Sequence, residues 1–276
     1  MMRPGRLGGL LVAVLLSATG CSGGDGGDGT SAAPNGATGA TTAAAAPKAP
    51  RVGSCYQLDV RSALKATSSR PAVSCSHRHT AVTVAVGTVQ PVVDGHLLAL
   101  DSTLVQRQIA DRCRRAVDAH VGGSLRDQRL SRIQAVWFNP TTAQADRGAL
   151  WYRCDLVISS GPRTFAALPR KTHGMLRAQG AMSRWGTCGT ASPAAKHFQR
   201  VLCSARHTWR ARAATTLPAG TAYLSTKAGR TADARCRAVA AKLSPKSSKL
   251  RWAFEWPTRD QWQSGQRYGL CWTPDA

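Results

Sequence analysis

Two hydrophobic spacings recur along the chain. Between residues 81 and 89, Val82, Val84 and Val86 alternate with their neighbours at the two-residue period of a strand. Segments 55–60, 134–138, 150–159, 251–256 and 266–272 read as strands as well. Between 104 and 121 the period changes: Leu104, Ile109, Cys113, Ala116, Val117 and Val121 fall near helical spacing, which predicts an amphipathic helix with Cys113 on its buried stripe. Cys236, Val239, Ala240 and Leu243 repeat that pattern, and Pro245 supplies a stop. A short helix is expected over 175–182, and 76–80 is polar enough for a turn.

The elements come in two sets because the chain repeats itself. Val73-Ser74-Cys75-Ser76-His77-Arg78-His79-Thr80 returns as Val201-Leu202-Cys203-Ser204-Ala205-Arg206-His207-Thr208. Arg112-Cys113-Arg114 matches Arg235-Cys236-Arg237. Pro140-Thr141, Gln144, Gly148, Trp151 and Cys154 match Pro257-Thr258, Gln261, Gly265, Tyr268 and Cys271 without a gap. The fold class that follows is α+β, as two tandem disulfide-stapled modules, each a small antiparallel sheet with one main helix. Their expected bounds are 51–165 and 166–276, within a joining stretch at 160–183 whose natural break is Gly161-Pro162.

Each copy carries four cysteines, Cys55, Cys75, Cys113 and Cys154 in the first and Cys188, Cys203, Cys236 and Cys271 in the second. An even set in an exported chain, with no Cys-x-x-Cys pair, favours disulfides over zinc or redox chemistry. Four cysteines allow three pairings per copy, and spacing does not choose among them. The pairing favoured joins first to second and third to fourth: Cys55–Cys75, Cys113–Cys154, Cys188–Cys203 and Cys236–Cys271.

Export is read from the start of the chain. Arg3 and Arg6 precede the apolar run Leu10 to Leu16, and small residues lead to Cys21, so residues 1–20 read as a lipoprotein signal peptide with Cys21 as the acylated residue. The run is too short to span a bilayer, and acyl chains on Cys21 would anchor the protein instead. Lipidation also accounts for the ninth, odd cysteine. Residues 21–50, rich in Gly, Ala, Thr and Ser, lack the apolar surface to fold and read as a disordered tether reaching roughly 30 Å. The expected location is the extracytoplasmic face of the cell membrane, with a secreted protein as the alternative.

The formal charge is +23, and it is uneven: residues 51–169 carry 15 basic and 8 acidic side chains, residues 170–276 carry 19 and 4. Such a surplus suits a polyanionic neighbour, acidic lipid or a wall polymer, while export argues against nucleic acid. Catalysis finds little support. His79 and His207 are the only histidines in register, no aspartate aligns with them, and Glu255 is the single glutamate. No catalytic, phosphate-binding, metal or cofactor motif is found; His77 and His79 could present two imidazoles on one face of an extended segment, a weak metal site at most, since Ala205 stands at the matching position and no third or fourth ligand is evident. Candidate binding residues are His79 and His207, the neighbouring Arg78 and Arg206, and Trp256 and Trp262 from an aromatic run interleaved with arginines.

Both copies resemble the septum formation domain of actinobacterial envelope proteins. The resemblance rests on Gly53, Cys55, Val73, Cys75, His79, Cys113, Pro140, Gly148 and Cys154, then on Gly186, Cys188, Val201, Cys203, His207, Cys236, Pro257, Trp262, Gly265 and Cys271. Arg78 and Arg206 replace the family's proline before the histidine, Val82 and Arg210 stand where an acidic residue is common, and Ala145 replaces the first copy's tryptophan. The resemblance implies a link to division or septum assembly and no reaction. The expectation is a non-enzymatic, lipid-anchored envelope protein that binds a protein or an anionic polymer at the outer membrane face or wall. The alternatives are a wall-acting enzyme using His79 or His207, and a passive electrostatic coat.

Overall fold

The computed structural model describes residues 45–275; the signal segment, Cys21 and the tether as far as residue 44 lie outside the described residues. The first half contains β1 (Cys55–Tyr56), α1 (Val60–Ala63), β2 (Ala81–Thr88), β3 (Val92–Val93), β4 (His96–Leu97), α2 (Thr103–Val121), α3 (Leu125–Leu130), β5 (Ile133–Phe138), α4 (Thr142–Ala145), β6 (Trp151–Gly161) and β7 (Thr164–Phe165). The second contains α5 (Ala181–Trp185), β8 (Thr187–Gly189), β9 (Arg200–Leu202), β10 (Trp209–Thr216), α6 (Thr226–Leu243), β11 (Ala253–Glu255), α7 (Arg259–Gln263) and β12 (Tyr268–Pro274). The fold is α+β with antiparallel sheets and four disulfides. No helix among the described residues is long and apolar enough to cross a membrane.

Local chemistry explains much of the sequence register. Thr141 and Thr258 are N-caps whose hydroxyls accept from Gln144 N–H and Gln261 N–H, while those glutamine side chains reach back to the cap backbone, forming two capping boxes. Gly148 and Gly265 follow each short helix at φ 82° and 91°, a left-handed backbone that a side chain resists. The repeated Pro-Thr…Gln…Gly pattern therefore encodes a helical turn and its exit. Expected strand 55–60 ends early, at Tyr56, because Asp59 turns the chain by accepting from Ser62 N–H at 2.7 Å to start α1. The β3–β4 hairpin was not anticipated; it turns on Asp94 and Gly95, both at positive φ, the Asp-Gly signature of a tight hairpin.

One sheet runs β1-β2-β6-β5, with β7 also paired to β6; the other runs β8-β10-β12-β11, with β9 added beyond β8. A register shift falls between Thr83 and Ala85 opposite β6, and another between Ala211 and Ala213 opposite β12, each beside the strand's cysteine. Disulfides join Cys55 to Cys75, Cys113 to Cys154, Cys188 to Cys203 and Cys236 to Cys271, the pairing the sequence favours. Two of them pin the buried stripes of α2 and α6 to β6 and β12.

The halves are not separate beads. A single apolar cluster holds Val117, Val121, Leu156 and Ile158 of the first half together with Trp185 and Leu202 of the second. In the other direction, Leu130 of α3 packs with Trp209, Leu270 and Trp272. The joining stretch belongs to this core. Gly161-Pro162, expected as a break, is the turn into β7, and the helix expected over 175–182 is absent from 175–180, where Met175 and Leu176 are buried, and begins only at Ala181, after Gly180. The N–H groups of Gly174 and Leu176 donate to the carbonyls of His120 and Val121, which α2 would otherwise leave unpaired at its C-terminus.

Equivalent sheet positions carry different chemistry. Thr83 lies opposite Asp155, as Ala211 lies opposite Trp272. In the first sheet Arg153 Nε sits 3.1 Å from Asp155 Oδ2, both side chains buried, close in distance but poorly aligned as a hydrogen bond. Thr83 donates to Asp155 Oδ1 at 2.7 Å, and the guanidinium lies against Tyr56 and Phe138, 3.8 and 4.7 Å from their ring centres. Burial pushes the Asp155 carboxyl up, and Arg153 and Thr83 only partly pull it back. Asp155→Ala should cost about 3–5 kcal/mol in urea unfolding, because it strands a buried cation. Arg153→Leu/Asp155→Met/Thr83→Ala should recover most of that loss, as the apolar Leu270 and Trp272 suggest; a triple variant no better than Asp155→Ala would contradict this reading.

Candidate functional site

The two registered histidines close the turns after Cys75 and Cys203. His79 Nδ1 lies 2.9 Å from the His77 carbonyl and His207 Nδ1 lies 2.7 Å from that of Ala205, so each ring folds back on its own turn. His79 is 3% exposed. His77 is exposed while His79 is buried, which gives no support to the minor reading of a two-imidazole metal site. Arg78 and Arg206 project from the turns into solvent.

His207 joins a hub at Asp275. Its Nε2 is 2.9 Å from Asp275 Oδ2, Arg210 Nε is 2.5 Å from the same oxygen, and Arg212 Nη2 is 2.6 Å from Oδ1. Burial acts to raise the Asp275 carboxyl, but the bonds from Arg210 and His207 and the charge of Arg212 outweigh it and hold the group below its ordinary value. Cys188, His207 and Asp275 also lie close enough to suggest a metal triad. Their chemistry does not fit one: the Cys188 sulfur is bonded to Cys203, and two guanidiniums occupy the carboxylate.

Trp256 and Trp262 do come together, 6.1 Å between ring centres, with Tyr223 5.7 Å from Trp262 and Phe254 5.7 Å from Trp256. The group packs on the small face of α6, where Ala228 and Ala232 leave room and Gly229 meets the Trp256 ring. Both tryptophans are half-buried, and Arg259 and Arg267 lie over Tyr223 and Trp262 at 5.2 and 4.2 Å. One side of the cluster is core, and the other is an aromatic and cationic surface.

A cleft of about 410 Å³ opens where the halves meet, lined by α1, β5, the β6–β7 turn and the segment 198–200. Arg132 lies at its side, donating from Nε to the Ser159 carbonyl and from Nη2 to Ser159 Oγ, both at 2.9 Å. Burial, then the cation of Arg200, push the Arg132 guanidinium down to about 10, with Glu255 opposing, so it is charged at neutral pH. Arg200 is already paired, its Nη2 2.7 Å from Glu255 Oε1. None of this was marked in the sequence, where Arg132 is one arginine among many.

A family model described as septum formation matches residues 53–271. The chain belongs to the septum formation family. No curated protein and no solved structure matches it. Membership points to a cell-division-related role in the envelope. Most positions carrying the resemblance build the fold: cysteines form staples, histidines close turns, and the Pro and Gly residues bracket capped helical turns.

The Asp275 hub yields a pH test. A carboxyl held below its ordinary 3.8 contributes stability that is present above that value and lost as pH falls through the folded value. Asp275→Asn should therefore unfold at lower urea than wild type at pH 7, with the gap closing as both are titrated below the ordinary carboxyl value and through the lower folded one. A gap independent of pH would contradict the assignment.

Proposed function

We propose that the chain is a non-enzymatic, lipid-anchored envelope protein that binds another protein or an anionic polymer at the outer membrane face or wall in support of septum formation. Anchoring through Cys21 rests on the sequence of the signal segment. The observation that carries the binding role is the half-buried Tyr223, Trp256 and Trp262 cluster bordered by Arg259 and Arg267, on the more basic half. Aromatic anchors beside guanidiniums are the residue types that dominate binding surfaces. Use of His79 and His207 in their own turns favours binding over catalysis through them, since neither ring is arranged as a base toward an open cleft. We read the chain as a duplicated module, with both sheets sharing strand path, bulge and staples.

Photo-cross-linking on intact dividing cells, with the reactive group at Arg259, tests this reading. Capture of one envelope component at division sites is expected, falling about tenfold in Trp256→Ala/Trp262→Ala. Capture that disappears as salt shortens the Debye length from ~10 Å to ~3 Å would favour the electrostatic coat. A His79→Ala/His207→Ala protein that folds but loses division-site function would favour the enzyme, and a Cys21→Ser protein that stays with the membrane would contradict anchoring.

A further inference from the structure

We infer that the cleft at the junction of the halves binds an extended peptide carrying one carboxylate, with Arg132 as the anion contact. This rests on the reading of the chain as a binding protein and goes beyond it by naming a site and a ligand chemistry.

The first argument is the state of Arg132. Only 8% of the residue is exposed, and among the described residues its guanidinium meets no carboxylate. One edge of the fork, Nε and Nη2, is committed to Ser159. The N–H groups of Nη1 and the second N–H of Nη2 have no protein acceptor among the described residues. They form the end-on face of the fork, with two parallel donors suited to a carboxylate. Ser159 takes two of the five guanidinium N–H groups, which leaves three free to meet an incoming acceptor in the cleft.

The second argument is charge. Arg132 and Arg200 both line the cleft, and Arg200 is neutralised by its ion pair with Glu255, which lies outside the lining. One unit of positive charge is left, which a single carboxylate balances and a dianionic phosphate would overshoot.

The third argument concerns shape. The volume lies within the ligand-site range, and the lining mixes apolar side chains, Val60, Leu64, Val136, Phe165 and Phe198, with polar ones, Gln134, Ser159 and Gln199. Leu64 is 82% exposed at the edge of the cleft. Two terminal strands contribute to the lining, β5 of one sheet and β9 of the other. Apart from its pairing with β6, the β5 region is tied to neighbours at its ends, through Arg132 N–H to the Trp185 carbonyl and Asn139 N–H to the Ala66 carbonyl. The stretch between is a sheet edge. Edge backbone beside apolar pockets is the setting in which an extended peptide adds to a sheet, with main-chain bonds giving affinity and pockets giving specificity.

The test selects from two pools of random heptapeptides on the intact, oxidised protein. One pool is blocked at both ends, so that any carboxylate is an Asp or Glu side chain; the other ends in a free carboxylate and lacks Asp and Glu. Enrichment of acidic residues flanked by apolar ones in the first pool, or binders from the second pool whose affinity is lost on amidation, is expected and tells which carboxylate is used. Arg132→Gln should weaken the selected peptides at least about tenfold. Leu64→Glu should do the same, by setting a carboxylate at the edge that repels the ligand and offers Arg132 an internal partner. Because Leu64 is exposed, this variant keeps the test valid should Arg132→Gln fail to fold. The inference is overturned if neither pool yields carboxylate-dependent binders, or if the selected peptides bind folded Leu64→Glu as well as wild type. Such a failure leaves the cross-linking result at Arg259 unaffected, so the site and the broader envelope role fail separately.

Discussion

Leu202 and Trp185 are buried among side chains that belong to the other half of the chain, and the architecture depends on that exchange. Burying each such side chain contributes roughly 1.5–3 kcal/mol, and here the gain is available only when both sheets are present. Leu130 repeats the arrangement in reverse, leaving its own half to pack beside Trp272. Backbone contact reinforces the join where Arg132 N–H donates to the Trp185 carbonyl. The cleft, with Arg132 on one side and Arg200 on the other, exists only because the halves meet in this way.

A common framework supports unlike interiors. Its fixed parts are the helix-to-strand staples, the capped turn before the last strand, and the bulge beside the strand cysteine. On it, the first sheet carries a buried Arg153–Asp155 pair under aromatic rings, and the second carries Leu270 and Trp272 under a helix from the first half. The second half alone adds the Tyr223, Trp256 and Trp262 cluster, where Ala145 stands at the position equivalent to Trp262. The two halves thus share structure while presenting different surfaces.

The sequence disclosed what is local or periodic. Helices α2 and α6 and strands β2 and β6 could be read from spacing and repetition, because period and cap chemistry act within a few residues, whereas the choice among the three cysteine pairings of each half is fixed only by the fold. The β3–β4 hairpin was legible in Asp94-Gly95 but was not read. The joining stretch misled for a physical reason: Gly and Pro normally mark exposed breaks, but here Leu168, Met175 and Leu176 on the same stretch are buried against the first sheet. Arg132 could not be singled out. Lys249 occupies the same register, eight residues before the matching proline, and lies in an exposed loop. Only burial at the junction distinguishes the two cations.

The most direct measurement is hydrogen exchange of the oxidised chain across a series of low urea concentrations. It would compare the slowest amides of β6 with those of β12. If the halves are one folding unit through Leu202, Trp185 and Leu130, both strands should open with the same free energy and urea dependence, and Leu202→Ala should lower both by an equal amount. Distinct opening energies, with Leu202→Ala affecting one strand alone, would show that the halves fold independently and would contradict the account.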